Sequence, residues 1–262
     1  MDLWHKQTFE AEKVYLARFG PLSLWIRQSD GEIQIAESRN EEERQINCHG
    51  LVEWSESVPE SLIWSRWIMA QETQEVRILP CMPDRAVVVR TASPVKLPTG
   101  KEAEFFVSIP IWLRIQTENP QMIVLDEVPT VIRSNIWFGD PTSGELCYSL
   151  ISRAHRTVSE TDHPVYKAVC PVKIRNMSQE RLDIERFCVH VEYLNLYEGM
   201  HFLWCNEVTI TFQGKDLISK VSYARKKPKL GDNLSLITSP RTMFKETLLK
   251  RSLVNFVRLA DF

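Results

Sequence analysis

The sequence predicts a mostly β protein: two immunoglobulin-like sandwich blocks followed by a C-terminal amphipathic helix. Three observations carry that expectation. Short alternating apolar runs, bounded by Gly, Pro, Asn and Asp, recur from Leu22 to Phe212. Compact β-branched runs such as Val87-Val88-Val89 fit buried strands. After Lys229 the apolar spacing changes to a helical one. The expected boundaries are 1–120 for the first block, 121–230 for the second and 231–262 for the helical tail.

Along the chain, Leu22, Leu24 and Ile26 alternate with other residues. Ser29-Asp30-Gly31 then turns the chain into Ile33 and Ile35, which predicts a hairpin. Asn40 to Arg44 is charge-rich and predicts a loop or short turn. Leu62 to Met69 carries Trp64 and Trp67 on opposite sides of a strand, so both faces are expected to be covered. Pro94 to Gly100, followed by Glu104 to Ile109, has the pattern of an edge-to-core transition in a sandwich. Pro110 interrupts that run, because proline cannot donate to a central ladder. Val131 to Phe138 and Leu146 to Ile151 flank Gly139-Asp140-Pro141-Thr142-Ser143-Gly144, which predicts a second hairpin.

Arg153 to His163 is polar and predicts a connection, and Val165 to Phe212 is strand-rich, with a loop at Asn176 to Glu180. Ala224 to Lys229 is basic and proline-broken, as in a linker. Ser239-Pro240 offers an N-cap with proline at the first helical position. Leu249, Leu253, Phe256 and Ala260 then recur at helical spacing.

Composition narrows the class of function. The 262 residues hold 32 basic and 34 acidic side chains, a formal net charge of -2, with 44% hydrophobic residues. That balance excludes a disordered or collagen-like chain. It also argues against a dedicated nucleic-acid binder, which needs a positive field. Glutamates gather early, at Glu41-Glu42-Glu43, while Arg225 to Arg258 is basic. The start of the chain has no apolar signal region, and no run of apolar residues is long enough to span a membrane. Six cysteines are spread without a C-x-x-C pair, as expected of reduced thiols in a cytoplasmic protein.

Short motifs distributed over most of the chain resemble the DUF432 family, proteins of unknown function found in archaea and bacteria. They are Tyr15 with Phe19-Gly20, Leu97-Pro98 leading to Ile109-Pro110-Ile111, and Phe138-Gly139-Asp140-Pro141 with Gly144. Val172 to Asn176 and Val191-Glu192-Tyr193 before Tyr197 complete the set. The resemblance implies no activity, cofactor or catalytic residue.

The sharpest chemical candidate is a hairpin turning at Glu198-Gly199. In that register Phe187, Val189, Val191 and Tyr193 form a core face with Phe202, Trp204, Val208, Ile210 and Phe212. The other face gathers Cys188, His190, Glu192, His201, Cys205 and Glu207, donors suited to zinc or a similar metal. The competing reading is ordinary alternation on a solvated face. His155 and Asp162-His163 lie in the predicted connection, Asp140 reads as a turn former, and Cys48-His49 is an uninformative dipeptide. The chain holds no phosphate loop, no H-E-x-x-H and no G-x-S-x-G. Of eight tryptophans, Trp64, Trp67, Trp112, Trp137 and Trp204 fall in strand-like runs and are expected to be buried; Trp4, Trp25 and Trp54 are the candidates for exposure.

These readings predict a non-catalytic protein-binding or assembly module without a cofactor. Its partner would be another protein or a second copy. The C-terminal helix, with Lys250, Arg251 and Arg258, would pack on the sandwich or touch a membrane surface. The alternatives are a metal-binding protein or metal-dependent hydrolase using His190, Glu192, His201, Cys205 and Glu207, and ligand or carbohydrate recognition by exposed tryptophans.

Overall fold

A computed structural model describes residues 4, 6–8, 10–29, 31–40, 49–54, 56–69, 75–118, 121–214, 219–231, 233–243, 248–249 and 252–253. Strands account for 56% of the described residues and helical turns for 3%, so the protein is mostly β. Strands β1 (Lys6–Thr8), β2 (Val14–Phe19), β3 (Leu22–Ser29), β4 (Glu32–Arg39), β5 (His49–Trp54), β6 (Ser65–Ile68) and β7 (Glu75–Cys81) come first. Then follow β8 (Val87–Leu97), β9 (Glu102–Pro110), β10 (Trp112–Thr117), β11 (Ile123–Pro129), β12 (Asn135–Phe138), β13 (Glu145–Ser149) and β14 (Lys167–Asn176). The chain continues through β15 (Leu182–Val189), β16 (Leu196–Glu198), β17 (Leu203–Cys205), β18 (Val208–Phe212), β19 (Lys220–Tyr223), β20 (Ser235–Thr238) and β21 (Leu248–Leu249).

Two compact units interleave along the chain. The first comprises 1–81, 110–132 and 164–166; the second comprises 82–109, 133–163 and 167–262. The boundary expected at 120–121 falls inside a segment of the first unit. The cause is long-range pairing: β10 returns to lie beside β7, with Ile115 opposite Ile78.

The first unit holds a five-stranded sheet in the order β5-β2-β3-β4-β6 and a four-stranded sheet in the order β1-β7-β10-β11. The expected β3–β4 hairpin is present, with Ser29 opposite Glu32 and Gly31 at a φ of 77° that favours glycine. Leu16, Trp25 and Ala36 stand side by side across β2, β3 and β4 and form one buried face. Trp54 meets Trp25 edge-on, with ring centroids 5.3 Å apart. Gly20 turns β2 into β3 at a φ of 60°, and a Cβ there would come within 2.4 Å of the Tyr166 ring. The Phe19-Gly20 motif is therefore a packing requirement. Strand β6 is shorter than expected and lies at the sheet edge with Ile68 83% exposed, so its two faces are not both covered.

The second unit holds a four-stranded sheet, β12-β13-β8-β15, and a larger one in which β20, β16, β17, β14, β18, β19 and β21 follow in order and β9 pairs with β14. Phe105 of β9 packs against Phe187 of β15 with centroids 5.5 Å apart, so the two sheets share a core. Among the described residues, β13 pairs in parallel with β8, and β14 does so with β17 and with β18. An immunoglobulin-like sandwich is built from antiparallel sheets; these parallel ladders give the second unit a different strand arrangement. Pro171 falls where β14 changes partner from β17 (Val169 opposite Trp204) to β18 (Val172 opposite Val208). A missing N–H is tolerated at that gap.

Asn176 closes β14. It is fully buried; its amide donates to the carbonyls of Leu97 at 2.9 Å and Glu180 at 2.7 Å, and its Oδ1 accepts from the N–H and hydroxyl of Ser178. The end of the Val172–Asn176 motif is thus a polar latch joining two turns.

The expected C-terminal helix is not what the described tail residues form. Leu248–Leu249 pairs with β19, and Leu253 bridges to Phe187. Strand pairing there overrides the helical spacing of Leu249 and Leu253; Phe256, Ala260, Lys250, Arg251 and Arg258 lie outside the described residues. Among the described residues no helix is long and apolar enough to cross a membrane.

Candidate functional site

The hairpin expected to turn at Glu198-Gly199 takes another register. Strand β15 ends at Val189, and Val191–Tyr193 is a 3-10 turn. Glu198 then lies opposite Leu203 across a four-residue loop closed by the Gly199 N–H on the Phe202 carbonyl. The partner of β15 is β8, with Phe187 opposite Val89 and Val189 opposite Val87. One edge of β15 is taken by β8 and the other meets Ser252 and Leu253, while the local segment pairs as β16 with β17, so the proposed face dissolves.

Its members are dispersed. His201 is exposed, Glu207 pairs with Lys173 at 3.6 Å, and Cys205 is fully buried beside Met82, sulfur to sulfur 3.8 Å. Glu192 sits in the 3-10 turn, where its carbonyl accepts the Thr242 N–H. Cys188 and His190 alone join a new constellation.

That constellation lies on the inner face of the β12-β13-β8-β15 sheet. Cys147 on β13 and Cys188 on β15 flank the start of β8, where Ala86 and Val88 complete a small core with Phe138. The two thiols approach to 3.7 Å, and both residues are fully buried. Glu145 lies two positions before Cys147, hence on the same face. Its Oε1 stands 2.6 Å from Nε2 of the fully buried His190, while its side chain stays 31% exposed. One Glu145 carboxylate oxygen, the Cys147 sulfur and the Cys188 sulfur all lie within 4.8 Å of one another. Tyr223 donates its hydroxyl to the His190 carbonyl at 3.1 Å.

Burial, reinforced by the Cys147 hydrogen bond and by the charges of Glu145 and Glu192, pushes the Cys188 thiol well above the ordinary range. Burial and the Glu192 charge raise the Tyr223 hydroxyl in the same sense. The group combines two soft sulfurs with a carboxylate and an imidazole. Such donors can share protons, undergo thiol chemistry or hold a borderline metal.

The outer face of the same sheet carries a second feature. Trp137 on β12 lies directly opposite Leu146 on β13, and the two are 49% and 45% exposed. The indole N–H donates to the Asp140 carbonyl at 2.9 Å. A Cβ on Gly144 would lie 2.4 Å from that indole nitrogen, so glycine makes room for the ring. Asp140 also accepts the Gly144 N–H and pairs with the Ser143 hydroxyl, the turn-forming role expected of it. Strand β12 is an edge: among the described residues only β13 pairs with it. At the opposite edge, by contrast, the Cys188 N–H donates to the Ser252 carbonyl.

Trp4 and Trp25 are buried, at 5% and 4%, and Trp54 packs on Trp25. The expectation for tryptophans holds for Trp204, buried at 5%, and fails for Trp137, which reaches solvent. The only signal in the sequence was the breaker-rich turn beside it. The loop candidates do not form an acid–base pair. Asp162 binds Lys167 at 2.6 Å, His163 stacks on Phe202, and His155 stands 3.8 Å from Glu160. Arg225, Lys226, Lys227 and Lys229 are exposed. Cys48 lies outside the described residues.

No curated protein and no solved structure matches this chain. A family model described as Protein of unknown function (DUF432) matches residues 3–258. Covering nearly the whole chain, that match makes the protein a member of the DUF432 family, in agreement with the motifs from Tyr15 to Tyr197.

Proposed function

We propose that this protein is a non-catalytic binding or assembly module whose contact site is the β12 edge of the second unit. The observation that carries the reading is the exposed cross-strand pair Trp137/Leu146 on a strand whose outer side meets no other strand among the described residues. An edge strand offers unpaired N–H and C=O groups, and native proteins usually blunt or cover such edges. Here the edge presents a tryptophan, a residue type enriched among the dominant contacts of protein interfaces. An extended partner segment can add to β12 through main-chain bonds while Trp137 and Leu146 anchor its side chains.

The five described cysteines are buried and in no disulfide, which supports the expected cytoplasmic setting. The Gly139–Gly144 turn fixes the indole before any partner arrives, and preorganisation lowers the ordering cost of binding.

Site-specific photo-cross-linking in the native cell tests the proposal. A photoreactive residue replacing Trp137 should give a discrete cross-linked product with another protein or a second copy. The same group at Ile63, 88% exposed in the first unit, serves as control. Absence of a product at 137, or the same product from both positions, overturns the assignment.

A further inference from the structure

The buried face behind that edge is a separate matter. We propose that Cys147, Cys188 and Glu145 bind a thiophilic divalent cation, zinc by its chemistry, with His190 holding the Glu145 carboxylate in place. The inference goes beyond the binding role and stands or falls independently of it.

The sulfur separation is the first argument. Two thiolates about 2.3 Å from a tetrahedral zinc are about 3.8 Å apart. Cys147 and Cys188 stand 3.7 Å apart before any ion is considered, so both can reach one centre with little movement.

The third donor has the right reach. Its oxygen lies within 4.8 Å of both sulfurs, and the partial exposure of Glu145 gives a route from solvent to an otherwise closed pocket. Two sulfurs and a carboxylate oxygen are a mixed set that suits zinc, whereas magnesium and calcium prefer all-oxygen shells.

His190 supplies the outer shell. Metal-bound carboxylates are commonly held by a hydrogen bond from a further residue. The His190 ring nitrogen stands 2.6 Å from Oε1 of Glu145 and so fixes the carboxylate beside the two sulfurs. His190 has no exposed surface, and its Nδ1 finds no hydrogen-bond partner among the described residues.

The fold places these donors without any local ligand spacing. Glu145 and Cys147 share a face of β13, and Cys188 and His190 lie two apart at the end of β15. Strand β8 brings the two ends together, pairing with both, and Ala86 just before it carries only a methyl group. A cation bound there would tie β13 to β15 across β8.

The test uses the full chain, purified under reducing conditions without chelator, with metal content read by elemental analysis. One zinc per chain is expected. It should be lost in Cys147→Ser with Cys188→Ser and kept in Cys170→Ser with Cys205→Ser, a buried thiol pair elsewhere in the unit. Cobalt(II) added to metal-depleted wild-type chain should give a sulfur-to-metal charge-transfer band. Glu145→Gln and His190→Gln should each weaken cobalt binding about 10–100-fold. These two variants and the wild-type band decide the matter if the double serine variant does not fold. A metal-free wild type that gives no band with cobalt overturns the proposal. So does metal retained by the double serine variant, or unchanged affinity in both Glu145→Gln and His190→Gln.

Discussion

Trp137 of β12 stands opposite Leu146 of β13 with both side chains about half exposed, while their neighbours Ile136 and Cys147 form the inward pair of the same ladder. Alternation along two short strands therefore gives one sheet two unlike faces: an apolar outer edge and an inner cluster of thiols, carboxylate and imidazole.

The outer edge depends on Gly144. A methyl group there would collide with the Trp137 indole nitrogen and with the Phe138 and Asp140 carbonyls, all within 2.8 Å. Gly144→Ala is expected to cost about 1–3 kcal/mol, as overpacking does, and to release the indole from Asp140. Fluorine NMR of chain labelled with fluorotryptophan, with the Trp137 signal assigned through Trp137→Phe, should show that resonance move and broaden.

Asn176 should be among the least replaceable polar residues of the second unit. Asn176→Ala strips partners from the carbonyls of Leu97 and Glu180 and from Ser178, all at one buried point. A loss of about 2–4 kcal/mol is expected, since buried groups left unpaired cost about 1–3 kcal/mol each. Denaturant unfolding checks this, with Arg175→Gln, next along the strand and exposed, as the mild comparison.

Phe105 and Phe187 join the two sheets of the second unit and are both fully buried. Each single change to alanine should cost about 3–5 kcal/mol. Because they touch, the double change should cost less than the sum, and a double-mutant cycle by chemical denaturation measures the difference.

Asp126 supplies a pH prediction. Burial, together with the charges of Glu37 and Glu127, raises its carboxyl above the ordinary 3.8, although the Glu127 N–H opposes this. A carboxyl raised in the folded state penalises folding fully above its folded pKa, and the penalty disappears as pH falls through that value toward 3.8. Asp126→Asn keeps the acceptor for Glu127 and should raise the unfolding midpoint at pH 7, with the gain shrinking on acidification. Thermal unfolding across the acid range tests the sign.

The elements legible in the sequence are those whose signals are local. The Ser29–Glu32 hairpin and the Gly139–Gly144 turn are announced by their own breakers and alternate as expected. Alternation states which residues share a face and leaves the partner strand open. Local alternation alone therefore pairs β15 with its neighbour in sequence, whereas Phe187 and Val189 lie beside Val89 and Val87. The same gap hid the cluster: Cys147 and Cys188 meet only because β8 draws both strands to itself. The exposure of Trp137 was hidden for a related reason, since a strand pattern does not reveal that its strand is an edge. At the tail, the spacing of Leu249 and Leu253 suits a helix or a strand, and pairing with β19 and Phe187 decided it.

The most direct test of the binding role compares wild type with Trp137→Ala/Leu146→Lys as bait, titrating capture of the protein that cross-links at position 137. Removing a tryptophan anchor and placing a charge opposite it should weaken capture at least about 30-fold, the effect of losing a dominant contact, while the unfolding midpoint stays nearly unchanged. Equal capture by a folded double variant would contradict the assignment of the β12 edge as the contact site.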